Sequence, residues 1–254
     1  MTLAQREPPE TSFSGWHMVE IPDLGVDFHR MWEELIRLGE DPPAPWTLIG
    51  AHMVALHGWV RGQRQIRPSK DADLLVNVRT VADGIERISH ALRARGYVLE
   101  GISPKGIGQR FIKEGVSVDI LAPDGLSEKV KLLTVGGART VGVPGGTQAL
   151  KRSGQIEVRT RSTSGLVPVP NLLGALLVKV RAIQVDDQPE AQRRDTAFLL
   201  SLVDDPDTFA YDLSRTERQW LRRHPYLADA LDSCSRGIPR AEDAAIVFRR
   251  LAGF

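Results

Sequence analysis

This 254-residue chain has a single cysteine, Cys234, so no intramolecular disulfide framework can staple it. That cysteine usage predicts a reducing compartment, and no Cys/His spacing of the zinc type occurs. No run approaches the roughly 18 consecutive apolar residues of a membrane span. The first residues also lack a basic-then-apolar signal pattern. Together these absences predict a cytoplasmic protein with no membrane partner. Excess charge is missing as well. The net charge is +1, so attraction to a polyanion would have to come from a local basic surface. Internal repeats and low-complexity tracts are absent.

What is present is a stretch around which the rest is organised, Arg67-Pro-Ser-Lys-Asp71-Ala-Asp73-Leu-Leu-Val76. It reads as a polar loop running into an apolar strand. Side chains two apart on a strand share a face, so Asp71 and Asp73 project together while Leu74, Val76 and Val78 turn away. Two carboxylates side by side repel each other unless something neutralises them, and a hard divalent cation such as magnesium prefers such oxygens. A solvated Asp-x-Asp at a strand start is the plainer alternative.

Upstream, residues 1–15 read as a loose tail, and 27–38 as an amphipathic helix stopped by the prolines of 41–45. Residues 46–49 form a short buried strand that breaks at Gly50-Ala51 into a helix over 52–59. Such a turn can hold phosphate, because a small residue admits the anion and the first helical N–H groups face it. It can equally be an ordinary strand-to-helix turn. His57 reads either as a packed helix histidine or as a catalytic group. Arg61, Arg64 and Arg67 read as a solvated face or as contacts to a bound triphosphate.

Downstream, residues 80–95 are a helix with Gly96 as its C-cap. Strands are expected over 97–100, 109–113 and 116–121, the last two joined by a tight turn at Glu114-Gly115. Asp119 is a lone charge in the apolar run Val116-Ser-Val-Asp-Ile-Leu121, and a buried carboxylate needs an answering group. If this hairpin lies beside the Asp-x-Asp strand, three carboxylates converge. Further strands are expected over 129–135 and 155–161. Lys129, Lys131, Arg139, Lys151, Arg152, Arg159 and Arg161 bias that region towards positive charge. Residues 171–183 are a core helix carrying an unexpected Lys179. Another helix follows Pro189 and contains Asp195. Ser214-Arg-Thr-Glu217 is a capping box, and 226–231 and 241–251 are also helical. The fold class is therefore α+β. It comprises a small mixed or antiparallel sheet with flanking helices over 16–168 and a helical C-terminal unit over 169–254.

A Gly-[Gly/Ser] strand–helix turn, an Asp-x-[Asp/Glu] strand and a third carboxylate strand resemble the nucleotidyltransferase superfamily with the polymerase-β-like fold. The Arg67–Val76 run is similar to the form found in AbiEii-type toxins of bacterial toxin–antitoxin systems. That group also carries a lysine on a later core helix and an aspartate on the next one, which Lys179 and Asp195 match. The likeness spans residues 46 to about 203. Ala51 departs from it by replacing the second Gly or Ser, and the interval from Gly50 to Asp71 is longer than in the compact motif. The resemblance implies transfer of a nucleoside monophosphate from an NTP. Two magnesium ions would be bound by Asp71, Asp73 and Asp119, with Asp119 also able to accept a proton. Gly50, Ala51, Arg67, Ser69 and Lys179 would contact the nucleotide, and Asp195 would be catalytic or orient Lys179. It further implies an RNA acceptor such as a tRNA 3′ end, a growth-inhibiting toxin role and an antitoxin partner. The alternatives are transfer to a small-molecule antibiotic and an inactive nucleotide-binding or interaction module.

Overall fold

The computed structural model describes residues 18–63, 69–127, 130 and 132–254. In chain order the first elements are β1 (Val19–Glu20), α1 (Val26–Glu40), β2 (Trp46–Ile49), α2 (Gly50–Val60), β3 (Asp71–Val76) and α3 (Gly84–Ala94). There follow β4 (Val98–Leu99), β5 (Arg110–Lys113), β6 (Val116–Pro123), β7 (Gly142–Val143), α4 (Gly146–Lys151), β8 (Ser153–Arg159) and β9 (Ser164–Pro170). The rest is helical: α5 (Leu172–Ala182), α6 (Glu190–Ser201), α7 (Pro206–Asp212), α8 (Arg215–Arg222) and α9 (Ala241–Ala252).

The architecture is α+β. The main sheet runs β2-β3-β6-β5-β4, with β7 paired to the end of β6. It is mixed, because β3 and β6 are parallel while β2–β3, β5–β6 and β4–β5 are antiparallel. All eight residues of β6 are buried, which makes it the centre of the domain. A smaller sheet, β1-β8-β9, packs alongside.

The helix α1 forms because Phe28, Met31, Trp32, Leu35 and Ile36 fall on one face, and all five are buried. Phe28 and Trp32 pack with His52 and Trp59 of α2, their rings 5.5–6.0 Å apart across the two helices. This aromatic cluster fixes α2, and with it the turn at Gly50, against the sheet. Among the described residues no helix is long and apolar enough to cross a membrane.

Two expectations need correction, and one strand is unforeseen. The helix expected over 226–231 is only a short 3-10 turn at Pro225–Ala228. Val130 and residues 132–135 form no strand, apart from an isolated bridge between Leu133 and Arg139. Gly136 and Gly137 both have positive φ, so the chain turns back there instead of extending. Lys129 and Lys131 lie outside the described residues. The strand β9, conversely, is absent from the sequence reading because Pro168 and Pro170 argue against a central strand. It is an edge strand, where proline is tolerated.

The helices α5 and α6 share the core of the sheet domain, and α8 is tied to it by one buried carboxylate. Ser214 and Glu217 form the expected capping box: Ser214 N–H donates to Glu217 Oε2 (2.8 Å) and Glu217 N–H to Ser214 Oγ (3.2 Å). Glu217 also accepts an ion pair from Arg152, at the junction of α4 and β8, at 3.0 Å. Glu217→Ala leaves Arg152 without its charged partner and removes the carboxylate half of the α8 capping box. We expect a loss of about 3 kcal/mol in urea denaturation, and an unchanged midpoint would contradict this role.

Candidate active site

Strand pairing brings the carboxylates together. In the β3–β6 register Asp73 lies beside Asp119 and Asp71 beside Ser117. On the other side of β3, Ile49 lies beside Asp73, which sets the β2–α2 turn against the same carboxylate. Gly50 has φ +74°, and a Cβ built on it would stand 1.8 Å from Asp73 Oδ2. Only glycine leaves room for Asp73 there, so this turn is more than an ordinary connection. Ala51, the next residue, is buried in the first turn of α2.

Asp71 sits at the mouth of the cleft. Ser117 Oγ donates to its Oδ1, and its backbone N–H donates to Ser69 Oγ at 3.3 Å. Ser69 thus helps start β3 and stands beside the carboxylates. Arg64 and Arg67 lie outside the described residues. Arg61, at the end of α2, donates to the His57 carbonyl (3.3 Å).

Sequence reasoning missed Arg110. It faces Asp119 across the β5–β6 hairpin and binds it bidentately, Nε to Oδ1 and Nη2 to Oδ2, both at 2.9 Å. Its Nη2 is also 3.5 Å from Asp71 Oδ2, and its Nε is 3.8 Å from Glu100. Asp119 and its neighbours raise the guanidinium pKa further above its ordinary value. A signal was available. Counting back from the two-residue turn at Glu114-Gly115 puts Arg110 directly opposite Asp119.

Lys179 and Asp195 meet as a buried ion pair between α5 and α6, Nζ to Oδ2 at 2.9 Å, with Gln192 Oε1 also accepting at 2.9 Å. The sequence left open whether Lys179 reaches solvent or pairs with an anion, and it pairs. Its charge still reaches Asp73, whose pKa it lowers. The net shift at Asp73 is upward, to about 7. Burial contributes most and the negative charge of Asp119 next, with Asp71 adding to it.

Two histidines near the cleft are buried and neutral. Burial lowers His52 to about 4, partly opposed by Asp71. Burial and the charge of Arg61 lower His57 to about 3, and its Nε2–H donates to the Pro170 carbonyl at 2.9 Å. His57 therefore packs α2 against the end of β9, which is the structural one of its two readings.

The donors suit a hard divalent cation in kind, since all are carboxylate oxygens. Asp71, although it accepts from Ser117 and lies 3.5 Å from Arg110 Nη2, and Asp73 are the two carboxylates that could share one. Both oxygens of Asp119 are held by Arg110, and among the described residues no three metal-ligating side chains form a ready cage. Of the five described basic residues in the stretch biased towards positive charge, three are ion-paired, while Arg139 and Lys151 are exposed. Arg152 pairs with Glu217, Arg159 with Glu20 and Arg161 with Asp23.

No family model matches the chain, and no curated protein matches it. Among solved structures it is similar to an antigenic nucleotidyltransferase-like protein from Paracoccidioides brasiliensis. The identity is 13%, the match covers 76% of this chain and 84% of that one, and the TM-score is 0.45. A likeness at this level decides neither family nor activity.

The state of Asp73 has a measurable consequence. Folded, it keeps its proton up to about pH 7; unfolded, it releases it near pH 4. The folded chain therefore binds more protons between these limits, and stability falls as pH rises through the window. In chelated, metal-free buffer we expect a fall of at most about 4 kcal/mol, a slope that Asp73→Asn removes. Equal slopes for the two proteins in urea denaturation would contradict the assignment.

Proposed function

We propose that this protein is a nucleotidyltransferase that moves a nucleoside monophosphate from a nucleoside triphosphate to an acceptor hydroxyl. The observation that carries this reading is the crowding of Asp71, Asp73 and Asp119 beside the Gly50 turn. A fold that merely needed stability would gain by replacing such a trio with apolar residues. Keeping it makes sense where a cation and a polyphosphate complete the site.

Magnesium on Asp71 and Asp73 would neutralise the triphosphate and favour in-line displacement. The chain's own residues do the remaining work. Gly50 and Ala51 admit the phosphates to the start of α2. Ser69 flanks the nucleotide just before β3, and Arg67, outside the described residues, is a further candidate contact. Lys179, oriented by Asp195, balances charge that accumulates on the departing pyrophosphate. The acceptor oxygen attacks the α-phosphorus as the bond to the β-phosphate oxygen breaks and pyrophosphate leaves, and the hydroxyl proton passes to water, since both oxygens of Asp119 are held by Arg110.

Two acceptor classes have support. The Arg67–Val76 run favours an RNA 3′ end such as that of tRNA, with a toxin role and an antitoxin as protein partner. The ion-paired Arg152, Arg159 and Arg161 favour a small polar or cationic acceptor instead. So does a groove of about 520 Å³ beside Arg110, lined by Glu100, Ser103 and Gln109.

The test is a transfer assay with magnesium, each α-labelled nucleoside triphosphate, and either total RNA or an aminoglycoside and lincosamide panel. We expect label in one acceptor class and a loss of at least 100-fold in Asp71→Asn/Asp73→Asn, the order set by losing the charge that stabilises the transition state. Label in RNA selects the first class and label in a small molecule the second. No label in any acceptor, or equal transfer by the double variant, would overturn the reading.

A further inference from the structure

We infer that Arg110 takes the place of a second metal ion, so that the site binds one divalent cation, on Asp71 and Asp73, and not two. This rests on the metal-dependent reading of those two residues. Three features of the cleft support it.

The first is geometry. The Arg110 guanidinium contacts both oxygens of Asp119 at 2.9 Å and reaches Asp71 Oδ2 at 3.5 Å. It therefore bridges two carboxylates, as a shared cation would. A planar fork matched to one carboxylate leaves that carboxylate no free oxygen in the arrangement seen.

The second is how firmly the clamp is held. Arg110 and Asp119 are directly opposed in an antiparallel hairpin closed by a two-residue turn, so the backbone ladder sets their approach. Asp119 is buried, and parting it from Arg110 would leave a buried charge unanswered. Glu100, exposed and 3.8 Å from Arg110 Nε, is a weaker contact that does not displace Asp119.

The third is charge. With Asp73 ionised by a bound cation, Asp71, Asp73, Asp119 and Asp195 set against Arg110 and Lys179 leave two negative charges at the site. One divalent cation balances them. A second would leave the cleft positive before any nucleotide arrived, and would have to sit against the guanidinium. The solvent-exposed Glu100 is screened and alters this little.

The experiment is a titration of the full chain with Mn²⁺ alone, free ion being read by electron paramagnetic resonance. We expect one ion per chain for the unmodified protein, none for Asp71→Asn/Asp73→Asn, and still one for Asp119→Asn. Arg110→Met frees the Asp119 oxygens and should raise the count to two. Two ions on the unmodified protein, loss of an ion in Asp119→Asn, or a single ion on folded Arg110→Met would each overturn the inference while leaving the metal reading intact. No ion on the unmodified protein would remove the metal reading itself, and this inference with it. Should Arg110→Met fail to fold, the unmodified protein and Asp119→Asn still decide the question.

Discussion

Three carboxylates on two adjacent parallel strands, near the start of β3 and midway along β6, repel one another, and their surroundings are arranged around that repulsion. Asp71 and Asp73 share a strand face, and the β3–β6 register adds Asp119 to it. Arg110 answers Asp119 directly, Lys179 answers Asp73 at longer range, and Ser117 donates to Asp71. What is left over appears at Asp73, whose pKa rises to about 7 because burial and Asp119 both disfavour its charge. Leu74, Leu75 and Val76 continue β3 into the core and anchor the trio in the middle of the sheet.

The helical C-terminal part belongs to the same electrostatic problem. Lys179 is carried by α5, a helix buried on most sides, and is oriented by Asp195 and Gln192 of α6. A cation on a mobile surface chain would be screened by water. Held between two core helices, Lys179 acts through protein, where its field reaches Asp73 with less loss. The Arg152–Glu217 pair fastens α8 to the sheet domain, so the helices bring their charge to a fixed place.

The parts of this arrangement legible in the sequence were those with a local cause. The buried run 46–49 breaking at Gly50, the alternation through Asp71–Val76 and the capping box at Ser214–Glu217 each announce themselves within a few residues. The partnership of Asp119 needed one further step, the hairpin count from Glu114-Gly115, and omitting it hid Arg110. The strand β9 was hidden by a rule true of central strands, because its edge position is a tertiary fact that no local pattern carries. The shift at Asp73 was also out of reach, since it depends on the distance to Asp119 and on how deeply Gly50 lets the carboxylate sit.

We propose that Asp73 is an acid whose charge the fold disfavours until a cation arrives. Titration of its carboxyl carbon by ¹³C NMR, without metal and then with magnesium, tests this most directly. The account expects a midpoint near 7 without metal and a clear downward shift on adding the cation. A midpoint near 4, the ordinary value for an aspartate, unmoved by magnesium, would contradict it.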